Sequence, residues 1–162
     1  MPDFNDRVSP HQNLERLGLS LPPLRQPGGN FAPAIIEGDL LFVSGQGPVS
    51  ADGVRRTGKV GAEISVEEAY EHARIATLNL LAIMDHALGS LSRVRRIVKV
   101  LGLVNAAPDF DAHPRVINGC SDLLTAVFGE ERGRHARSAV GAGSLPGRIT
   151  VEIELIAAIQ AR

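Results

Sequence analysis

The chain has 162 residues, of which 44% are hydrophobic and 22% are charged, as is usual for a single soluble globular domain. A net charge of −1 and an aromatic content of 4% make nucleic acid an unfavourable partner, because neither electrostatic attraction nor base stacking is well supplied. One cysteine, Cys120, excludes an intramolecular disulfide and fits a reducing cytoplasm. The first residues lack a signal peptide's apolar run and no window suits a membrane span, so we expect a cytoplasmic protein.

Residues 1–28 are predicted to form an N-terminal extension that packs on a domain formed by residues 29–162. The extension begins with a short helix, for which Ser9 is the N-cap, Pro10 the first helical residue and Gly18 the stop. A connector rich in proline and glycine follows, and it cannot be a regular helix.

The first half of the domain is predicted to be a hairpin and a long helix. Strands over 31–36 and 40–44 flank a turn at Glu37-Gly38-Asp39. Ser65 and Glu68 form a capping box that starts a helix, and Gly89 ends it after about Leu88. The apolar face of this helix is rich in alanine, which allows close packing on a sheet.

The second half is predicted to be a strand over 94–104, a helix over 114–128 capped by Asp109 or Asp111, and a final hairpin. The hairpin joins an apolar run at 138–141 to the alternating segment 149–155. The order β-β-α-β-α-β-β gives two long helices for about five strands, so both helices should cover one face of the sheet. The other face is either solvated or covered by other subunits.

Arg137 and Glu152 are the strongest candidates for chemistry, because a final hairpin would place a cation for an anionic substrate near a carboxylate. Arginine offers a rigid fork of donors for a carboxylate, and Glu152 would position water or transfer a proton. The structural alternative is a surface ion pair across the hairpin, which is usually worth less than about 1 kcal/mol.

The remaining candidates have weaker support. The run Gly45-Gln46-Gly47 either lets a ligand approach the backbone or simply ends a strand. Cys120 is expected to be a buried hydrophobe, and no triad is recognisable around Ser44 or Ser138. His135 either lines a cleft with Arg137 or, as we favour, is an exposed loop residue.

Neither a metal site nor a nucleic-acid surface is predicted. The five histidines lack the spacing of metal ligands. The basic residues form two clusters that fit solvated strand edges better than an RNA site; they are Arg93, Arg95, Arg96 and Lys99, and Arg132, Arg134 and Arg137.

The sequence resembles the Rid family, the reactive intermediate deaminases also called the YjgF family, from about Asn30 to Ala158. The resemblance is carried by GDLLFVSGQGPV at 38–49, KVLGLV at 99–104, VIN at 116–118, and ARSAV, LP and VEIE within 136–154. The last block is the most specific. The N-terminal extension and the longer segment before the second helix resemble an endoribonuclease-like subgroup.

The resemblance implies a chorismate-mutase-like α+β fold of two layers, assembled as a homotrimer with clefts between subunits. It also implies hydrolysis of small carboxylate-bearing 2-imino acids and enamines to 2-oxo acids and ammonia, without a cofactor or metal. Arg137 would bind the substrate carboxylate and Glu152 would position the attacking water. Gly45 and Asn118 would line the pocket.

Two positions depart from the family pattern. Phe31 replaces a frequent pocket tyrosine, and Ala139 replaces a cysteine found two residues after the arginine. The lost hydroxyl removes one hydrogen bond to substrate or water. The alternatives are therefore a non-catalytic trimer that binds a small carboxylate metabolite or a protein partner, and, with less support, RNA binding or an endoribonuclease.

Overall fold

The computed structural model describes residues 8–160, so residues 1–7 of the predicted extension lie outside it. One five-stranded sheet forms one layer and two long helices form the other. The elements are α1 (Pro10–Arg16), β1 (Ala34–Glu37), β2 (Leu40–Gln46), α2 (Val66–Leu88), β3 (Val94–Asn105), α3 (His113–Gly133), β4 (Ala136–Ala142) and β5 (Val151–Ile159). The predicted α+β class and element order are confirmed.

The strands are arranged in the order β1-β2-β5-β3-β4. β1 pairs antiparallel with β2, β2 with β5, and β5 with β3, whereas β3 and β4 are parallel. The predicted final hairpin is wrong, because β3 lies between β4 and β5. Strand β4 instead completes a β3-α3-β4 unit, since two parallel neighbours need a long crossover connection.

The helix α2 begins and ends as its sequence predicts. The Ser65 hydroxyl accepts from the Glu68 backbone N–H, and the Glu68 carboxylate accepts from the Ser65 N–H. Gly89 ends the helix in the left-handed conformation, with φ 77°. Ala69, Ala73 and Ala76 are fully buried, which lets the helix approach its neighbours closely.

The helix α3 starts and ends differently from the prediction. Its N-cap is Ala112 without a side-chain hydrogen bond, so neither Asp109 nor Asp111 caps it. Gly129 interrupts it with φ 82° and ψ 166°, and a further turn continues to Gly133. The predicted end at Phe128 is thus the break in the helix. The prediction ended the helix there because a glycine alone does not show whether a helix resumes beyond it.

The core lies between the sheet and the two long helices. It contains Ile97, Val100 and Val104 of β3 together with Val151 and Ile153 of β5, all fully buried. Helix α1 of the extension packs on α3. Leu14 belongs to the core cluster, and the Asn13 amide donates to the Val127 carbonyl across 3.0 Å. Within residues 8–160, no helix is both long and apolar enough to cross a bilayer.

Candidate functional site

Arg137 is held on β4 by polar groups of α3. Its Nη1 donates to Oδ1 of Asn118 at 2.8 Å and to Oγ of Ser121 at 3.0 Å, and its Nη2 donates to the Pro114 carbonyl at 3.4 Å. The parallel register pairs Arg137 with the fully buried Val100, so the side chain starts on the helix-covered face of the sheet. Strand β4 is an edge strand, which leaves the half-buried guanidinium open on one side.

The contacts of Arg137 leave one edge of the guanidinium available. Three of its five N–H donors have acceptors on α3. Within residues 8–160, Nε and the second N–H of Nη2 have no acceptor. These two donors form a fork that matches the two oxygens of a carboxylate.

His135 is not the exposed loop residue that we predicted. It is half-buried, and its Nε2 lies 3.0 Å from Oγ of Ser121 while its Nδ1 lies 2.7 Å from the Gly133 carbonyl. Burial, and to a smaller degree the charge of Arg137, lowers the pKa of His135. The sequence analysis missed Ser121, because its contacts with Arg137 and His135 depend on how α3 lies over the sheet.

Glu152 is packed against the backbone of Gly45. The pairings Val43 with Leu155 and Gln46 with Ile153 place one extra residue in β2, which is a β-bulge. The bulge turns Gly45 toward Glu152, and a β-carbon at Gly45 would lie 2.5 Å from Oε1 of Glu152. A side chain at Gly45 would therefore displace the carboxyl group of Glu152. Burial, and then the charge of Glu154, raises the pKa of Glu152.

Arg137 and Glu152 of one chain lie on opposite faces of the sheet. Glu152 pairs with Leu103, one residue from the fully buried Val104, and thus faces away from the helices. Two strand spacings of about 4.8 Å and three residues of about 3.3 Å place their Cα atoms roughly 14 Å apart. One chain therefore does not form the pair that the predicted hairpin would have placed together.

The other predicted site residues divide between these two places. Ala139 is on β4 two residues after Arg137, on the same face, and packs against the core. Phe31 is 51% exposed and lines a cavity of about 310 Å³ that Gly45 also lines. The structure thus brings together Arg137, Asn118 and Ala139 in one group and Glu152 with Gly45 in another, whereas Phe31 shares with Gly45 a cavity that Glu152 does not line.

The remaining candidates have structural roles. Cys120 is fully buried, which raises the pKa of its thiol to about 12 and makes it a poor nucleophile. Arg93, Arg96 and Arg132 direct their guanidinium groups to backbone carbonyls at the ends of α2, β3 and α3. Among the described residues, no three His, Cys, Asp or Glu side chains are grouped to hold a metal ion.

Comparison with known proteins identifies the family. The family model described as "YjgF/chorismate_mutase-like, putative endoribonuclease" matches residues 12–158. The protein TCP17 of Trypanosoma cruzi is 44% identical over 89% of this chain and 90% of its own length. A RutC family protein of Pyrococcus abyssi is 30% identical over 82% of this chain and 88% of its own.

Solved structures agree with this assignment. A protein of unknown function from Agrobacterium tumefaciens is 41% identical over 94% of this chain and 92% of its own, with a TM-score of 0.86. A "putative endoribonuclease" from Shewanella oneidensis is 35% identical over 94% of this chain and 100% of its own, with a TM-score of 0.90. The fold is therefore the chorismate-mutase-like α+β fold, and the chain belongs to the YjgF family, also called the Rid family.

Proposed function

We propose that the protein hydrolyses small 2-imino acids and their enamine tautomers to 2-oxo acids and ammonia. The observation that carries this proposal is the guanidinium of Arg137, fixed by Asn118 and Ser121 with two adjacent donors left for a carboxylate. A substrate carboxylate bound there places its C2 carbon at a defined position. Orientation of this kind is a large part of catalysis when the reaction also proceeds unaided.

The reaction consumes one water molecule. Water adds to the C=N carbon, the nitrogen is protonated, and ammonia leaves as the C=O bond forms. Glu152 is the group we assign to position the water and to shuttle its proton. The raised pKa of Glu152 suits this role, because a carboxyl that titrates nearer to neutral pH both accepts and returns a proton.

The opposite placement of Arg137 and Glu152 favours a site formed between two chains. The sheet face that bears Glu152 also carries a row of apolar side chains from three neighbouring strands. Ile35 pairs with Phe42, and Phe42 pairs with Ile156. Ile35 is 57% and Phe42 is 40% exposed, and such a surface favours association. We assign this face to the interface of a homotrimer with three shared clefts.

A non-catalytic trimer that binds a small carboxylate metabolite is the second candidate. Phe31 and Ala139 favour it, because neither side chain offers a polar hydrogen to substrate or water. The endoribonuclease name of several relatives has less support here. The guanidinium groups of Arg93, Arg96 and Arg132 are engaged with backbone carbonyls instead of forming a free basic surface.

The test generates 2-aminoacrylate or 2-iminobutanoate in situ with an amino-acid dehydratase and follows its disappearance. We expect the wild type to hydrolyse the imine faster than buffer and Arg137→Ala to lose most of that acceleration. Arg95→Ala is the matched control, because Arg95 makes a long 3.5 Å surface contact with Asp39 and is 54% exposed. A wild type that is no faster than buffer would refute the proposed activity. Saturable binding of 2-oxobutanoate without turnover would then support the second candidate.

A further inference from the structure

We propose that Ser121 and His135 are positioning residues that hold Arg137 through a chain of hydrogen bonds running in one direction. The inference rests on the proposed function in one respect: Arg137 is taken to bind a carboxylate. Ser121 lies on α3 and His135 in the short link between α3 and β4. Neither residue belongs to the motifs by which the sequence resembles the family.

The direction of these hydrogen bonds follows from the last acceptor, the Gly133 carbonyl. The Gly133 carbonyl only accepts, so Nδ1 of His135, 2.7 Å away, must carry a proton. In a neutral ring Nε2 then has a lone pair and accepts the hydroxyl proton of Ser121 across 3.0 Å. With its proton directed at His135, the Ser121 oxygen presents lone pairs to Nη1 of Arg137, also at 3.0 Å.

The neutral ring is favoured by its surroundings. Burial disfavours the charged imidazolium, and the positive charge of Arg137 on β4 disfavours it further. On its open side the ring shares a cleft with charged side chains of β3, α3 and the link to β4, which are Arg96, Glu130, Glu131 and Arg134. These four side chains together carry two positive and two negative charges.

The arrangement fixes which donors of Arg137 remain for a ligand. Asn118 and Ser121 accept both protons of Nη1, so the guanidinium cannot change its orientation without losing one of these hydrogen bonds. Without an acceptor at His135, the Ser121 hydroxyl is free to turn its proton toward Nη1, where two donors would oppose each other. The Nε and Nη2 fork would then lose its fixed orientation.

The test compares variants that differ in the hydrogen-bond donors and acceptors they supply to Arg137, Ser121 and His135. Ser121→Ala removes the acceptor of Nη1, and His135→Phe removes the acceptor of the Ser121 hydroxyl. His135→Gln keeps an amide oxygen near the position of Nε2. His72→Phe is the matched control, because Nδ1 of the half-buried His72 also contacts a hydroxyl, that of Thr150 at 3.1 Å, away from Arg137.

The first measurement uses ¹⁵N NMR and needs no ligand. We expect wild-type His135 to be the tautomer protonated at Nδ1, and the Nη1 protons of Arg137 to give resolved, slowly exchanging signals. Those signals should broaden in Ser121→Ala and His135→Phe and stay resolved in His135→Gln and His72→Phe. Unchanged Arg137 signals in His135→Phe, or broadening in His135→Gln equal to that in His135→Phe, would overturn the inference.

The second measurement is the Kd for 2-oxobutanoate, with KM and kcat where turnover occurs. Loss of one hydrogen bond to a charged group predicts that affinity falls about tenfold in Ser121→Ala and His135→Phe, with KM changing more than kcat. His135→Gln should restore affinity to within about threefold of wild type. If binding follows this pattern without turnover, only the proposed deaminase activity fails. If turnover is normal in all variants, only the positioning inference fails.

Discussion

The carboxyl group of Glu152 occupies the space that a side chain at Gly45 would need, because a β-carbon there would lie 2.5 Å from Oε1. Glu152 on β5 thus lies against the bulge of β2. It also gives a physical reason for glycine at position 45, near the end of β2.

Gly45→Ala should therefore displace Glu152 while leaving the fold intact. We expect kcat for imine hydrolysis to fall by about tenfold or more, and the free energy of unfolding to change by less than about 1 kcal/mol, because only a flexible side chain must move. The measurement is steady-state kinetics together with denaturant unfolding. Gly143→Ala is the control, since nothing lies within 4 Å of its β-carbon position. Equal kinetics for both variants would contradict the assigned role of Glu152.

Arg137→Lys should show that fork geometry, and not charge alone, binds the substrate. Lysine keeps the positive charge but cannot bond Asn118 and Ser121 and also present two parallel donors to a carboxylate. We expect KM to rise by about 10- to 100-fold with a smaller change in kcat. Arg95→Lys, at an exposed pair on β3, should leave both constants unchanged. A wild-type KM in Arg137→Lys would show that the fork is not used.

Glu152→Gln should stabilise the protein at neutral pH. The pKa of Glu152 is raised in the folded state by burial and by Glu154, so ionising it costs more there than in the unfolded chain. The stabilisation relative to wild type should be fully present above the folded-state pKa and should vanish as the pH falls below the unfolded-state value near 4.3. Thermal unfolding from pH 3 to 8 measures it. A difference that grows as the pH falls would contradict the assigned environment.

The open sheet face should control assembly. Light scattering of the wild type should give about three times the chain mass of 17.2 kDa. Phe42→Glu places a charge within the apolar row of Ile35 and Ile156 and should shift the mass toward one chain. Val54→Glu is the control, because Val54 is 46% exposed and lies outside the sheet. A trimer that tolerates Phe42→Glu would place the interface elsewhere.

Local signals in the sequence predicted the elements well. The capping box of Ser65 and Glu68, the stop at Gly89 and the alternation in β5 each depend on neighbouring residues only. Strand partners depend on the whole chain. The segments around Arg137 and Glu152 have the pattern of a hairpin, but the connection through α3 makes β4 parallel to β3 and separates it from β5.

The positions of the candidate site residues were predicted only in part, because they too depend on how the whole chain folds. The family resemblance implied that Arg137 and Asn118 belong to one pocket, and Asn118 does accept a hydrogen bond from Arg137. The contacts of Ser121 and His135 could not be predicted, because they depend on where α3 and the turn that follows Gly129 place Ser121 and Gly133. The bulge that turns Gly45 toward Glu152 also has no marker other than glycine itself.

We propose that Arg137 of one chain and Glu152 of another act on the same substrate, because within one chain they lie on opposite faces of the sheet. The most direct test mixes Arg137→Ala and Glu152→Gln chains, each inactive alone, after unfolding and joint refolding. In a cyclic trimer with random 1:1 mixing, a site is intact when one chain supplies arginine and its neighbour supplies glutamate. The chance is one half times one half, so about one quarter of wild-type activity should return. A mixture as inactive as its components would contradict the shared site.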